Sequence, residues 1–291
     1  MKFREIIRKK KVLTIEYNPP KIPGKPNFDK IKGVSKFIDA VNVTDCPMAV
    51  LRISSIVASF LLKKEIDSVD VIFNFTCRDR NKLAISSDLL GAATLGLDNV
   101  LLINGDPIKN NIRENVYHLN THKLIELVKN LNNGLSISKD QLKVSTNFFI
   151  GVASNIPTKL TITGIKRRLK RKKEAGADFV ITQPIYSLES LELFLEATKD
   201  INIAKMIGFF PPPSLNVAKY LDKYVKGINI PKKFIEKLEK SKDERQESFR
   251  LVEEIIESLI MKGFIHDING IHLMRYDPSF TESVYNIIKE G

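Results

Sequence analysis

The chain has 291 residues, 43% of them hydrophobic and 27% charged; apolar runs recur from end to end, which excludes a disordered protein. Two cysteines, Cys46 and Cys77, exclude a disulfide framework and a zinc site built from four cysteines. Lys and Arg number 46 against 34 Asp and Glu, a formal net charge of +12, so the expected partners are anions: nucleic acid, anionic lipid, or a phosphate- or carboxylate-rich small molecule.

The N-terminal MKFREIIRKKK lacks the apolar segment of a signal peptide, and no apolar run reaches the roughly 18 residues that span a bilayer. A soluble, cytoplasmic protein is expected. The first predicted strand is VLTIEY (12–17), stopped by Asn18-Pro19-Pro20. AVNVTD (40–45) comes next and ends before Cys46-Pro47, followed by a helix over SSIVASFLLKKE (54–65). VDVIFNFT (69–76) leads to a helix over 82–96. NVLLING (99–105) leads to a turn at Gly105-Asp106-Pro107 and a helix over 122–131. NFFIGVAS (147–154) precedes a basic helix over 165–176, ADFVITQP (177–184) a helix over 190–200, and KMIGFFPPP (205–213) a helix over 216–225. Helices over 231–240 and 243–262 separate these from NGIHLM (269–274), and a last helix covers 279–289. The continuous Val/Ile/Leu/Phe runs fit strands buried on both faces, and three- and four-residue apolar spacing marks the helices.

Eight strands alternating with helices imply βα units and a parallel sheet. Eight such units in about 250 residues is the size of a TIM barrel. The expected fold is α/β, a single (β/α)8 TIM barrel over 1–291; an open doubly wound sheet is the alternative. In such a barrel the chemistry lies at the C-terminal strand ends. Those ends carry Glu16, Thr44-Asp45, Asn74 and Thr76, Asn104-Gly105-Asp106, Ala153-Ser154-Asn155, Thr182-Gln183 and Met274-Arg275.

Glu16 sits inside an otherwise apolar strand. There a carboxylate is either paired, or buried with a raised pKa that suits a general acid near neutral pH. Asp106 reads equally as a turn or cap residue, and Gln183 as a partner for loop backbone. His118 and His122, four apart, read as surface residues, and no metal site stands out. The run KRRLKRKK (166–173) is either a solvated helix face or a phosphate-binding arm; it lacks the interleaved aromatics of a base-stacking surface.

TIEYNPPK in strand one, FTCRDRNKLAISSDLLGAATLGLDNVLLINGDP (75–107), GVAS (151–154), KRKKEAGADFVITQPIY (170–186) and IHLM near the end resemble the methylenetetrahydrofolate reductase family in order and spacing. The 75–107 stretch is the specific one. The length is that of the family's catalytic domain without the regulatory extension of eukaryotic forms.

The resemblance implies an FAD-dependent TIM barrel, with FMN as the alternative flavin. It implies reduction of 5,10-methylenetetrahydrofolate, or of a related C1-pterin of the tetrahydromethanopterin type, to the 5-methyl form by hydride from flavin N5, within one-carbon metabolism and methionine biosynthesis. By the same resemblance Glu16 is the general acid toward the folate. Asp106 lies beside flavin and pterin, where its charge stabilises the 5-iminium cation formed when the imidazolidine ring opens. Gln183 and Arg275 contact the substrate. Thr44, Asn74, Thr76, Asn104, Gly105, Ala153, Asn155, Arg171 and Lys172 surround the flavin and its diphosphate.

Departures from the family pattern are Asn74 for a histidine, Asn104 for an arginine, Asn155-Ile156-Pro157-Thr158-Lys159 for Tyr-Pro-Glu-x-His, Ile165 near the place of an acid, and Arg275 standing for the arginine after strand eight. Electrons are expected from NAD(P)H or from a reduced protein partner. The alternative reading is a flavin-binding subunit of a larger electron-transfer complex that does not use NAD(P)H directly. A homo-oligomer is expected, with neither nucleic acid nor membrane as partner.

Overall fold

Strand residues alternate between two faces, so a closed barrel sorts each strand into an inward and an outward series. In the computed structural model, which describes residues 2–108, 114–225 and 227–290, β1 (Val12–Tyr17), β2 (Ala40–Val43), β3 (Asp70–Thr76), β4 (Asn99–Ile103), β5 (Phe149–Ser154), β6 (Phe179–Pro184), β7 (Ala204–Phe209) and β8 (Gly270–Leu273) lie side by side in chain order. Neighbours are parallel, and β1 pairs with β8 to close the cylinder. This is the expected TIM barrel. The strands end earlier than the apolar runs do: Thr44-Asp45, Asn104-Gly105 and the prolines after Phe209 belong to loops.

The outer layer is α3 (Ser55–Glu65), α4 (Lys82–Thr94), α5 (Thr121–Asn132), α6 (Ile162–Ala175), α7 (Leu188–Thr198), α10 (Glu244–Met261) and α11 (Pro278–Glu290). Side-chain oxygens of Asn81, Asn120, Ser187 and Asp243 accept a first-turn amide at the starts of α4, α5, α7 and α10, meeting donors that the helix leaves orphaned. Two short helices, α1 (Phe3–Ile6) and α2 (Asp29–Lys32), were not expected, because four residues are too few to show a period. Two more, α8 (Leu215–Tyr224) and α9 (Lys232–Lys240), are inserted between β7 and α10.

Among the described residues there are two apolar clusters. The larger lies between sheet and helices and takes the outward series, such as Leu13, Ile15, Val71, Phe73 and Phe75. The smaller fills the lower barrel with Val12, Ala40, Ile72, Leu101, Phe149, Phe179, Ile181 and Met206, plugged from below by Phe3 and Ile7. Phe149 and Phe179 stack at 5.1 Å, and Phe3 meets Phe179 edge-on at 5.6 Å. Gly151 makes this possible: a Cβ there would lie 2.2 Å from the Phe179 ring. Above this floor the inward series turns polar, with Thr14, Asn42, Asn74 and His272 all buried.

Candidate active site

The same parity carries the candidate residues to the mouth. Glu16 follows Val12 and Thr14 on the inward series of β1; Asn74 and Thr76 follow Ile72 on β3; Ala153 follows Phe149 and Gly151 on β5. Gln183 lies where the β6–β7 register shifts, between Ile181 and Pro184, so its place comes from that irregularity and not from the alternation. Thr44 continues the series of Ala40 and Asn42 just past β2. Alternation therefore brings five of the expected residues, Glu16, Thr44, Asn74, Thr76 and Ala153, to one rim.

Glu16 is half-buried. Solvent reaches it through the mouth, yet protein surrounds it, and this desolvation pushes its carboxyl up to about 7. Asn18 opposes the shift by donating Nδ2 to Glu16 Oε1 at 3.3 Å. Thr44 Oγ1 donates to Asn18 Oδ1 at 3.0 Å, which turns the amide so that its NH2 faces Glu16. Asn18 had no assigned role in the sequence, where it reads as a strand stop before Pro19.

Asn74 is buried and receives Asn42 Nδ2 on its Oδ1 at 2.6 Å. Thr76 donates Oγ1, and its backbone N–H, to Asp45 Oδ2 at 3.0 and 3.1 Å. Arg80 completes this buried cluster with Nη1 2.9 Å from the same oxygen. Gly105 has φ +83°, and a Cβ there would sit 3.0–3.2 Å from Arg78 and Thr76. The Gly105-Asp106 turn thus rests directly on the end of β3, an approach only glycine permits. Asn104 is exposed, with Oδ1 3.4 Å from Cys77 Sγ. Asp106 accepts the Met48 amide on Oδ2 at 2.7 Å.

On the opposite side, Lys172 reaches from α6 to the Ala153 carbonyl at 2.7 Å. Burial, then the nearby Arg168 charge, lowers its pKa to about 8. Arg171 is exposed on the same helix. Among the described residues, Lys166 is the α6 base with an acidic partner, Asp200 at 2.7 Å. Gly227, after α8, crosses over β6: a Cβ there would lie 2.4 Å from Gln183 Oε1 and 3.4 Å from Asn155 Nδ2. The inserted α8–α9 unit is thereby brought onto two candidate residues.

Arg275 lies just past β8. Its Nη1 donates to Pro211 O at 2.9 Å and its guanidinium covers the Phe249 ring at 4.8 Å. It ties the tails of β7 and β8 to α10. His118 is exposed and His122 pairs with Glu126 at 3.4 Å. His272, by contrast, stands inside the barrel.

The family model for methylenetetrahydrofolate reductase matches residues 2–290. A probable methylenetetrahydrofolate reductase (NADPH) of Caenorhabditis elegans is 27% identical over 251 residues, 81% of this chain and 35% of that protein. Methylenetetrahydrofolate reductase 1 of Schizosaccharomyces pombe is 24% identical over 215 residues, 67% of this chain and 32% of that protein. The chain thus spans about a third of the length of the curated relatives it matches. Among solved structures, a Clostridium thermocellum protein that binds two copies of 5-methyl-5,6,7,8-tetrahydrofolic acid superposes with a TM-score of 0.66 at 16% identity, covering 99% of this chain and 97% of that one. EDTA monooxygenase of Chelativorans sp. BNC1 gives 0.57 at 11% identity, covering 97% and 94%. These two share the fold. With the family's match running from residue 2 to residue 290 over a barrel whose mouth gathers the residues that suggested it, the chain belongs to the methylenetetrahydrofolate reductase family.

Proposed function

We propose that this barrel reduces a 5,10-methylene-pterin, tetrahydrofolate or a close relative, to its 5-methyl form, using a bound flavin. The observation that carries the reading is Glu16, an inward carboxyl at the mouth of a barrel of this family whose pKa stands at about 7. Such a group is about half protonated at neutral pH, the balance at which an acid gives up its proton most readily to a reacting group. The Clostridium thermocellum neighbour's 5-methyl-5,6,7,8-tetrahydrofolic acid supports the choice of ligand class.

The residues present fit a flavin. The close seat of Gly105 on Thr76 and Arg78 leaves bare backbone at the rim, where a flat ring system can approach. Arg171 and Lys172 on α6 have no carboxylate partner among the described residues and suit a diphosphate. FAD is the favoured form for that reason. A flavin bound there would supply the hydride for the methylene carbon. Glu16 donates a proton to the nitrogen that leaves as the imidazolidine C–N bond breaks, the bond pair staying on nitrogen. The Asp106 carboxylate faces the resulting cation and lowers its energy. Gln183, under the Gly227 loop, orients the pterin.

The visible spectrum of the purified protein comes first, then identification of the released cofactor and an anaerobic assay of 5,10-methylenetetrahydrofolate with the reduced protein. Flavin bands and one 5-methyl product per flavin are expected. A colourless protein that refuses both FAD and FMN overturns the reading. Flavin that dithionite reduces but NADH and NADPH do not would place the electron source in a protein partner.

A further inference from the structure

Arg78, just past β3, is 3% exposed, and its guanidinium faces three neighbours. Nε and Nη2 fork onto the Asp79 carboxylate, both at 2.7 Å. Nη1 donates to the carbonyls of Asp106 at 3.0 Å and Cys46 at 3.3 Å. The Arg78 carbonyl accepts the amides of Val116 and Tyr117 at 2.8 and 3.2 Å. Tyr117 returns its hydroxyl to Gly105 O at 3.1 Å. One residue therefore joins the loops that follow β2, β3 and β4. Among the described residues, Arg78, just past β3, brings a cation to the Gly105-Asp106 turn, where Asn104 is neutral and exposed.

The loop after β2 needs such a hold. Cys46, Met48 and Ala49 have φ of 45°, 55° and 56°, the left-handed region that non-glycine residues keep only when their surroundings over-determine it. Two contacts do so here: the Cys46 carbonyl on Arg78 and the Met48 amide on Asp106 Oδ2. Asp106 is thus held at both ends, by Arg78 at its carbonyl and by Met48 at its carboxylate.

We propose that Arg78 is the positioning residue for Asp106: by holding the Cys46 and Asp106 carbonyls with one guanidinium nitrogen, it fixes where the Asp106 carboxylate stands at the mouth. The inference rests on the reading of Asp106 as the anion beside flavin and pterin. Its bidentate partner Asp79 balances the charge, so Arg78 acts through geometry rather than as a free cation.

The test is a double-mutant cycle in the FAD-loaded protein with Arg78→Met and Asp106→Asn. A displaced catalytic group costs up to about a hundredfold in rate. Arg78→Met is expected to lower kcat for 5,10-methylenetetrahydrofolate by about ten- to a hundredfold with KM changed less than about threefold, and to add nothing to Asp106→Asn. Losses that multiply in the double variant overturn the proposal. Arg78→Lys, which keeps the charge but not the fork, serves where the Met variant fails to fold and is expected to fall between the two. Limited trypsin digestion of the flavin-free chain gives a readout independent of activity. Cleavage at Arg52, beside the strained loop, should speed up at least fivefold in both Arg78 variants. Unchanged cleavage overturns the proposal, even if the wild-type chain turns out to bind no flavin and the functional reading itself falls.

Discussion

Thr14 Oγ1 and His272 Nδ1 stand 2.9 Å apart inside the barrel, on the paired residues of β1 and β8 where the cylinder closes. His272 is 1% exposed, and burial lowers its pKa to about 3. Two residues along the same inward series, Glu16 is raised to about 7. Both groups are neutral in the fold at pH 6.

Their effects on stability have opposite signs. Below its ordinary value of 6.5 His272 takes a proton only on unfolding, so its contribution is full above 6.5 and falls as pH drops toward 3. Glu16 holds a proton in the fold that the unfolded chain releases above 4.5, so its contribution is full below 4.5 and falls as pH rises to 7. Each gives a slope of about 1.4 kcal/mol per pH unit, and between 4.5 and 6.5 the two cancel. Urea midpoints across that window should tilt one way in Glu16→Gln (less stable at low pH) and the other way in His272→Gln (less stable at high pH), relative to wild type. Parallel pH profiles in all three proteins would remove both assignments.

The same carboxyl sets a kinetic limb. A general acid with a pKa of about 7 loses its proton above that pH. The pterin half-reaction should fall toward tenfold per pH unit above 7, and the limb should vanish in Glu16→Gln, whose rate drops by about 10²–10⁴-fold. Reduction of the flavin by its donor should survive the substitution. Equal loss of both half-reactions, read by stopped-flow absorbance, would show that Glu16 is not the acid.

Much of this site was legible because strands have a period of two and barrel chemistry sits at strand ends. Strand ends put Glu16, Thr44, Asn74, Thr76, Ala153 and Gln183 on a longer list of rim residues, and the resemblance of the surrounding stretches to the family singled them out. What stayed hidden depends on contacts between segments distant in sequence. Asn18 reads as a strand stop until Thr44 is seen to turn its amide. Arg78 is one of several bases in CRDRNK, and nothing local says that it reaches Cys46 and Asp106. His272 lies in IHLM, a run that shows burial but not what it faces. Helices α8 and α9 were expected from their periods, yet only the fold brings Gly227 over Gln183 and Asn155. Arg275 was expected at the substrate, and the fold adds a contact the sequence does not show, its guanidinium over the Phe249 ring.

Gly105→Ala tests the seat of the flavin side. Its φ of +83° already costs an alanine about 1–2 kcal/mol, and the new methyl would press on backbone-fixed Cβ atoms at 3.0 and 3.1 Å. The turn must lift from Thr76 and Arg78. FAD affinity measured by fluorescence quenching should fall at least tenfold with a modest loss in thermal midpoint. An alanine variant that binds FAD as the wild type does would separate this turn from the flavin.

Two further glycines should respond to alanine with opposite signs, because one lacks space and the other lacks only a side chain. Gly91 lies in the exposed middle of α4 with nothing within 4 Å of a Cβ. Alanine there restricts the unfolded chain and favours the helix, a gain of about 0.4–1 kcal/mol. At Gly151 a Cβ would fall 2.2–2.8 Å from the Phe179 ring, and that ring cannot retreat, since Phe149 stacks on it and Phe3 stands edge-on to it. Overpacking of this kind costs about 1–3 kcal/mol. Urea midpoints should therefore rise for Gly91→Ala and fall for Gly151→Ala. Adding Phe179→Leu to Gly151→Ala should recover part of the loss, because the shorter side chain frees the space that the methyl needs. A Gly151→Ala protein as stable as the wild type would mean that the barrel floor has room the aromatic stack denies.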